Sequence, residues 1–274
     1  MSRYRKILLW LIITSPFFGL FLLVNLTAIG VFGDLPSFEQ LENPKNNLAT
    51  EIISEDGVVL GKYFFENRSR ANYNELPENL INAFISTEDV RFRNHSGIDG
   101  RALLRAIYGA LTGKSSSGGA STITQQLSKM LFTDKPSSGV ERVMQKLKEW
   151  IISGQLEKRY TKDEILTMYL NRFDWVNNAV GIKSASQVYF NKAPIDLNVL
   201  ESAMLVGMLK NPSYYNPNRR IELTERRRNI VLSQMRKYDV ISDYLFDSLV
   251  QQPIILNFKK ASHNEGLAPY FREY

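Results

Sequence analysis

The chain has 274 residues, of which 44% are hydrophobic and 23% charged, a composition typical of a folded protein and not of a disordered one. It contains no cysteine, so disulfides and thiolate metal sites are excluded. The net charge of +6 indicates an anionic partner, namely nucleic acid, anionic lipid or a phosphorylated substrate, without choosing among them.

The first element is a long apolar run, with no charged residue between Ile7 and Phe32. At 1.5 Å per residue, ~20 apolar residues span the ~30 Å core of a bilayer. Basic residues precede the run and acidic residues follow it: Arg3, Arg5, Lys6, Asp34, Glu39 and Glu42. We therefore expect residues 1–33 to be a cytoplasmic tail and a single transmembrane anchor, with the rest of the chain exported. The alternative, a cleaved signal peptide, has an apolar core of only ~7–15 residues. Export excludes nucleic acid as a partner.

Residues 34–74 are predicted to form a linker and a small β element. The segment from Asp34 to about Asn47 is polar and contains proline. Within Ala49–Arg68, two β-rich runs flank Asp56-Gly57. Asp-Gly between two such runs predicts a β-hairpin.

Residues 75–250 have the pattern of a helical domain. After Glu75 the apolar residues keep a 3.6-residue period, which prolines interrupt near residues 212–217. We expect a flexible loop at Thr112–Ala120, a helix from about Leu223 to Tyr238 and a short β-like run at Ile254–Phe258. The predicted fold class is mainly α with a small β-hairpin, preceded by one transmembrane helix.

A carboxylate lies on the apolar face of the helix predicted to begin at Pro77. Glu88, seven residues after Ile81, falls in the middle of that face, whereas Asp89 is rotated by about 100° and is expected to face solvent. A desolvated carboxylate takes up a proton more readily, which suits a general base. Alternatively, the helix frays and leaves Glu88 on the surface. The apolar face comprises Leu80, Ile81, Phe84 and Ile85.

Glycines, hydroxyl groups and amides precede another apolar run in Gly118–Gln126, GGASTITQQ. Thr122 and Gln125 have the spacing of a capping box, which by itself indicates only the start of a helix. Such a start also presents free backbone N–H groups that favour a phosphate. Lys129, one turn after Gln125, can face the same anion.

The segment Glu141–Tyr160 combines an apolar stripe with a polar flank. Lys146 and Glu149 on that flank can be a catalytic pair or merely a surface i,i+3 ion pair. The predicted buried stripe is Val143, Leu147, Trp150, Ile151 and Gly154. The predicted flank is Arg142, Lys146, Glu149 and Ser153. The following helix opens with a capping box at Thr161, which we interpret as structural.

Two groups of basic residues, taken by themselves, contribute little to the functional prediction. His95 and His263 are the only histidines, so a histidine-based metal site is not expected and His95 is interpreted as a hydrogen-bonding turn residue. The run Arg226–Arg228 is interpreted as a solvated helix face.

Several of these motifs, in this order, carry a resemblance. They are Glu88-Asp89-x-x-Phe92-x-x-His95-x-Gly97, then Gly119–Gln126 with Lys129, then Lys146-x-x-Glu149, and then Thr161–Asn171, Gly181–Lys192 and Glu201–Pro217. Together they resemble the family 51 glycosyltransferases, the peptidoglycan polymerases of class A penicillin-binding proteins, from about Ala49 to the C-terminus. One departure is Gln145, where the family usually has arginine, so one positive charge is lost unless Arg142 replaces it.

The resemblance implies a lysozyme-like glycosyltransferase domain with a membrane-associated smaller lobe. It implies that Glu88 is the catalytic base and Glu149 the second essential carboxylate. The implied substrate and pyrophosphate-binding residues are Arg105, Ser121, Thr122, Gln125, Gln126, Lys129 and Lys146. The implied supporting residues are Asp89, Phe92 and His95.

The implied reaction is inverting polymerisation of lipid II into β-1,4 glycan strands, with release of undecaprenyl pyrophosphate. No cofactor is expected to be required, and a divalent cation, Mg²⁺ or Mn²⁺, at the pyrophosphate is left open. The implied partners are lipid II, the growing glycan, the lipid bilayer and other cell-wall synthesis proteins, at the bacterial inner membrane with the catalytic domain outside the cytoplasm.

Two alternatives are weighed against this function, and a third question is whether the protein is bifunctional. A lysozyme-like lytic hydrolase shares a catalytic glutamate but has no pyrophosphate to neutralise with cations. An anchored scaffold with an inactive site is the second. The ending EGLAPYFREY resembles the bifunctional penicillin-binding protein 1A type, so residues 251–274 are interpreted as the start of a linker towards a transpeptidase domain, whose motifs these residues lack.

Overall fold

A computed structural model describes residues 3–37, 50–56, 59–63, 70–113, 119–133 and 136–259. Most of them are helical, which confirms the predicted mainly α class. The α-helices within these ranges are α1 (Arg3–Ala28), α2 (Glu78–Glu88), α3 (Gly100–Leu111), α4 (Ile123–Phe132), α5 (Gly139–Arg159), α6 (Lys162–Arg172), α7 (Ile182–Phe190), α8 (Val199–Met208), α9 (Ile221–Lys237) and α10 (Asp243–Val250).

Two short strands precede the helical domain. β1 (Thr50–Ile53) pairs antiparallel with β2 (Val59–Tyr63), with Thr50 opposite Tyr63 and a register shift at Ile52 and Ile53. The strands lie on either side of the predicted Asp56-Gly57 turn. Gly57 itself, most of the predicted linker, residues 114–118 of the predicted loop and the chain from 260 onwards lie outside the described residues.

The N-terminal helix α1 packs against α5. Across the part of the chain that the structure describes, no helix is both long enough and apolar enough to cross a membrane. The anchor over residues 1–33 stays a prediction.

The core of the helical domain is built around α8. This helix is apolar on all sides, as expected of a helix enclosed by others, and every residue from Ser202 to Met208 is buried. It packs against α2 and α9, while α4 packs against α5 and α6. The buried face of α2 includes Leu80, Ile81 and Phe84, as predicted, and each such side chain stabilises the fold by roughly 1.5–3 kcal/mol.

Helix starts agree well with the sequence. Thr161 and Glu164 form the predicted capping box at the start of α6, each side chain accepting from the other's backbone N–H. Thr122 caps α4 by accepting from the N–H of Gln125 at 3.2 Å. Side-chain oxygens can satisfy these otherwise free donors, so such residues mark helix starts reliably.

Two predicted elements need correction. The β-like run Ile254–Phe258 is not part of a strand. The backbone N–H groups of Asn257 and Lys259 instead donate to the carbonyl oxygens of Tyr189 and Val188 at the end of α7, at 3.1 and 2.8 Å. These carbonyls are free at a helix C-terminus, so this segment finds its hydrogen bonds there and not in a sheet.

The predicted buried stripe of α5 is correct only at Leu147. Val143 is 53% exposed, whereas Glu149 and Ser153, assigned to the flank, are buried. The buried residues of α5 are Leu147, Glu149, Ile152, Ser153 and Leu156. The face of α5 that meets α4 is therefore partly polar, and apolar periodicity alone does not find it.

Candidate active site

Glu88 is the last residue of α2, and its side chain is 17% exposed. The predicted alternative, fraying that leaves Glu88 on the surface, is wrong. The Gln126 Nε2 group donates to Glu88 Oε2 at 2.9 Å, and Tyr169 donates its hydroxyl to Gln126 Oε1 at 2.9 Å. Burial, and secondly the charge of Glu88, raise the pKa of Tyr169 well above its usual value, so Tyr169 stays a donor. These two hydrogen bonds, from Tyr169 to Gln126 and from Gln126 to Glu88, fix the orientation of the Glu88 carboxylate.

Asp89 does not face solvent as predicted, because α2 ends at Glu88 and the backbone turns inward. Asp89 is 8% exposed. Its Oδ2 atom accepts from the backbone N–H of Ile123 at 3.1 Å and lies 2.9 Å from His95 Nε2. Asp89 therefore ties the end of α2 to the start of α4. His95 is a hydrogen-bonding residue, as predicted.

Thr122 and Gln125, predicted to bind pyrophosphate, are each only 1% exposed. Both donate to the carbonyl oxygen of Gly97, from Thr122 Oγ1 at 2.6 Å and from Gln125 Nε2 at 3.2 Å. These bonds give them a structural role in holding the loop before α4. A phosphate contact by either side chain stays a prediction.

The second carboxylate, Glu149, is 5% exposed on α5. Lys146 Nζ donates to Glu149 Oε2 at 2.8 Å and to Ser121 Oγ at 2.9 Å. The alternative of a surface ion pair is wrong, because Glu149 is buried. The cluster Ser121–Lys146–Glu149 thus places a partly exposed ammonium beside the chain segment that leads into α4.

The remaining predicted residues are more dispersed. Lys129 is exposed on α4, and Arg105 is exposed on α3. Phe92 is fully buried, with Lys162 Nζ lying 4.3 Å from the centre of its ring, so it supports the core and does not line the site. Gln145 Nε2 donates to Thr133 Oγ1 at 3.0 Å, where α4 ends.

One residue of the site was missed from the sequence. Arg227 and Arg228, interpreted as a solvated face, are 8% and 2% exposed, and Arg227 Nη2 lies 4.0 Å from Glu88 Oε1. A signal was available, since the buried Val231, Leu232 and Met235 lie one or two turns further along the same face of α9.

A cavity of about 450 Å³, within the usual size range for ligand pockets, lies beside α4 and α6, and Glu88, Gln126 and Tyr169 are not among the residues that line it. Met130 lies one turn beyond Gln126, and Phe173 stacks on Tyr169 with ring centres 6.0 Å apart. The cavity is lined by Met130, Arg172, Phe173, Asp174, Val176, Val180, Pro212 and Ser213. No three His, Asp or Glu side chains of the described ranges are grouped to hold a metal ion. A divalent cation stays a prediction.

Comparison with known proteins identifies the family. A family model described as transglycosylase matches residues 56–236, about two-thirds of the chain. The chain belongs to the transglycosylase family. The matched range contains every residue of the site from Glu88 to Arg227. The resemblance to the glycosyltransferases of penicillin-binding proteins of the 1A type is confirmed, and family membership supports glycosyltransferase activity.

Among the relatives of this chain are proteins much longer than the chain itself. The chain is 33% identical to penicillin-binding protein 1A of Pseudomonas aeruginosa over 271 residues, 99% of this chain and 32% of the relative. It is 36% identical to penicillin-binding protein 1A of Escherichia coli over 239 residues, 87% of this chain and 28% of the relative. The chain thus spans about a third of the length of these relatives. A crystal structure of penicillin-binding protein 1A from Haemophilus influenzae matches with a TM-score of 0.44 and 22% identity, covering 78% of this chain and 22% of that one.

Proposed function

We propose that the protein is a peptidoglycan glycosyltransferase that polymerises lipid II into β-1,4 glycan strands. The observation that carries the proposal is the contrast between its two carboxylates. Glu149 is neutralised by Lys146 at 2.8 Å, whereas Glu88 accepts a hydrogen bond from a neutral amide and keeps 17% of its side chain exposed. Glu88 is therefore the better placed of the two carboxylates to act as the base.

In the proposed reaction, Glu88 takes the proton of the 4-hydroxyl of the acceptor's N-acetylglucosamine. That oxygen forms a bond to the anomeric carbon of the donor's N-acetylmuramic acid. The bond from this carbon to the pyrophosphate oxygen breaks, and undecaprenyl pyrophosphate leaves with the electron pair. Attack on the opposite face inverts the α-linked phosphate to a β-linked sugar. Gln126 supports this step by holding Glu88 Oε2.

The leaving pyrophosphate gains negative charge, so its stabilisation is electrostatic. Lys146, oriented by Ser121 and Glu149, is the best-placed cation. Lys129 and Arg105 are exposed and can close on the phosphates, and the start of α4 adds the positive end of a helix dipole. These cations favour a transferase over the lytic hydrolase, which has no anionic leaving group.

We propose that residues 1–33 anchor the enzyme in the bacterial inner membrane, with the N-terminus in the cytoplasm and the catalytic domain outside it. Apolar side chains exposed on α1 and α3 support contact with lipid, among them Trp10, Phe18, Leu104, Ile107 and Tyr108. A lipid-linked substrate gives a reason for this location. We also propose that the enzyme associates with other cell-wall synthesis proteins at this membrane.

The function is tested by polymerisation of lipid II with Glu88→Gln. Loss of the base is expected to lower the rate by about 10²–10⁴-fold, the usual contribution of general base catalysis, with helicity and thermal stability unchanged. Glu78→Gln at the other end of α2 is the matched control and keeps full activity.

Near-normal polymerisation by Glu88→Gln contradicts the base assignment. Release of fragments from isolated cell walls, with no consumption of lipid II, supports the lytic hydrolase instead. Moenomycin, the inhibitor expected for this family, distinguishes the two further by blocking polymerisation.

A further inference from the structure

Arg227 presents a cation to Glu88 from a third helix, α9. Its Nη2 atom lies 4.0 Å from Glu88 Oε1, while Gln126 occupies the other oxygen, Oε2. The two side chains are 9% and 17% exposed, so water screens their attraction weakly. Gln126 on α4 therefore contacts one oxygen of the Glu88 carboxylate, and Arg227 on α9 lies near the other.

The position of Arg227 is fixed by the close packing of α8 and α9. Arg227 Nε donates to the carbonyl oxygen of Gly207 at 3.2 Å, and its guanidinium lies 5.9 Å from the ring centre of Tyr215. A Cβ atom on Gly207 would lie 3.2 Å from Arg227 Cγ, so the absence of a side chain there makes room for the arginine. A guanidinium held this way loses little entropy on facing a carboxylate.

We propose that Arg227 positions the Glu88 carboxylate and keeps it anionic, an inference that rests on the proposed function. The physical need arises from the substrate, whose pyrophosphate brings negative charge into the site and favours protonation of nearby carboxylates. A protonated Glu88 cannot act as a base. Arg227 offsets this effect at 4.0 Å without occupying the oxygen by a short hydrogen bond, so the proton can still be accepted.

The other groups around Glu88 do not provide this charge. Gln126 on α4 is neutral, and Tyr169 on α6 reaches Glu88 only through Gln126. The segment Ser202–Met208 of α8 contains no titratable side chain. Among the described residues, Arg227 is the cation within ion-pair distance of Glu88.

The test compares three variants of the full chain: Arg227→Met removes the charge, Arg227→Lys keeps it, and Arg228→Met removes the neighbouring arginine, which is also buried. For Arg227→Met we expect kcat for lipid II polymerisation to fall about tenfold with KM changed less than about twofold, and the acidic limb of the pH–rate profile to move to higher pH, because the cation that lies 4.0 Å from Glu88 is removed. Arg227→Lys restores most of both effects. Arg228→Met leaves the profile in place.

A second readout does not need lipid II. Carbodiimide couples to protonated carboxyl groups, so the pH dependence of its attachment to Glu88, followed by mass spectrometry, reports the protonation of that residue. Arg227→Met is expected to move this curve to higher pH. Gly207→Ala, which displaces the arginine and keeps its charge, moves the curve in the same direction by a smaller amount and serves if Arg227→Met does not fold.

The proposal is overturned if the labelling curve of Glu88 is the same in wild type, Arg227→Met and Gly207→Ala, or if Arg228→Met shifts it equally. If wild type does not consume lipid II but the labelling curve shifts as expected, the proposed function fails and the role of Arg227 stands. If wild type polymerises lipid II and Arg227→Met matches its kcat and pH profile, the role of Arg227 fails alone.

Discussion

Single residues decide how charge is distributed in this site. Glu149 is paired with Lys146 by a 2.8 Å contact, and Glu88 faces a cation only at 4.0 Å. Two carboxylates in different surroundings can take different roles in one reaction. The sequence pattern predicts both residues, but it does not predict which of them is neutralised, because that depends on Ser121, in the segment before α4, meeting Lys146 on α5.

Gln145 stands where the resemblance to the family predicts an arginine. Gln145→Arg is expected to raise kcat/KM for lipid II about two- to tenfold at low salt, because it adds a cation next to Lys146, and the gain shrinks as salt screens the charge. The free energy of unfolding is expected to fall by about 0.5–1.5 kcal/mol if the hydrogen bond from Gln145 to Thr133 is lost. Steady-state polymerisation at several salt concentrations measures the effect.

Gln145→Met is the control for that experiment, since it removes the amide and adds no charge. An equal gain in both variants, or a gain independent of salt, rules out an electrostatic origin.

At the scale of elements, the site depends on how the end of α2 meets the start of α4. Apolar periodicity predicts the buried face of α2, and capping residues predict where α4 and α6 begin, because both are local properties. The inward turn of Asp89 and the burial of Arg227 are not local properties, because each depends on residues distant in the sequence. Asp89 needs the N–H of Ile123, and Arg227 needs the gap that Gly207 leaves between α8 and α9.

Gly97 is the backbone position on which the α4 loop depends. Its φ is +87°, and a Cβ there would lie 2.9 Å from the backbone carbon and oxygen of Ser153. Gly97→Ala is therefore expected to lower the free energy of unfolding by at least about 1–3 kcal/mol from strain, with polymerisation activity falling as the carbonyl oxygen of residue 97 moves away from Thr122 and Gln125. Chemical denaturation followed by circular dichroism measures the change.

Gly100→Ala, three residues further on, is the matched control. A Cβ at this position meets nothing within 4 Å, so the change is expected to be neutral or to stabilise α3 by up to about 1 kcal/mol. Equal destabilisation by both substitutions contradicts the special role of Gly97.

At the scale of the whole molecule, the proposed topology places the two ends of α1 on opposite sides of a membrane. The chain lacks cysteine, so single cysteines can report their own location. Tyr244→Cys, at an 86% exposed position, is expected to react with a membrane-impermeant maleimide in intact cells lacking an outer membrane. Ser2→Cys is expected to react only after lysis.

Each labelling experiment is normalised to the same variant in detergent. Labelling of Ser2→Cys in intact cells at the rate of Tyr244→Cys contradicts a cytoplasmic N-terminus. Labelling of neither contradicts export of the catalytic domain.

The tie made by Asp89 has a consequence for inhibitor design. Because one carboxylate joins the end of α2 to the start of α4, the proposed base Glu88 and the segment that contains Ser121 are held in a fixed relation before any ligand arrives. A rigid mimic of the two reacting sugars would then bind to a preorganised site, and little affinity would be lost to rearrangement of the protein. Asp89→Asn is expected to loosen the contact between the end of α2 and the start of α4. Rigid compounds are then expected to lose more binding affinity through this substitution than flexible compounds.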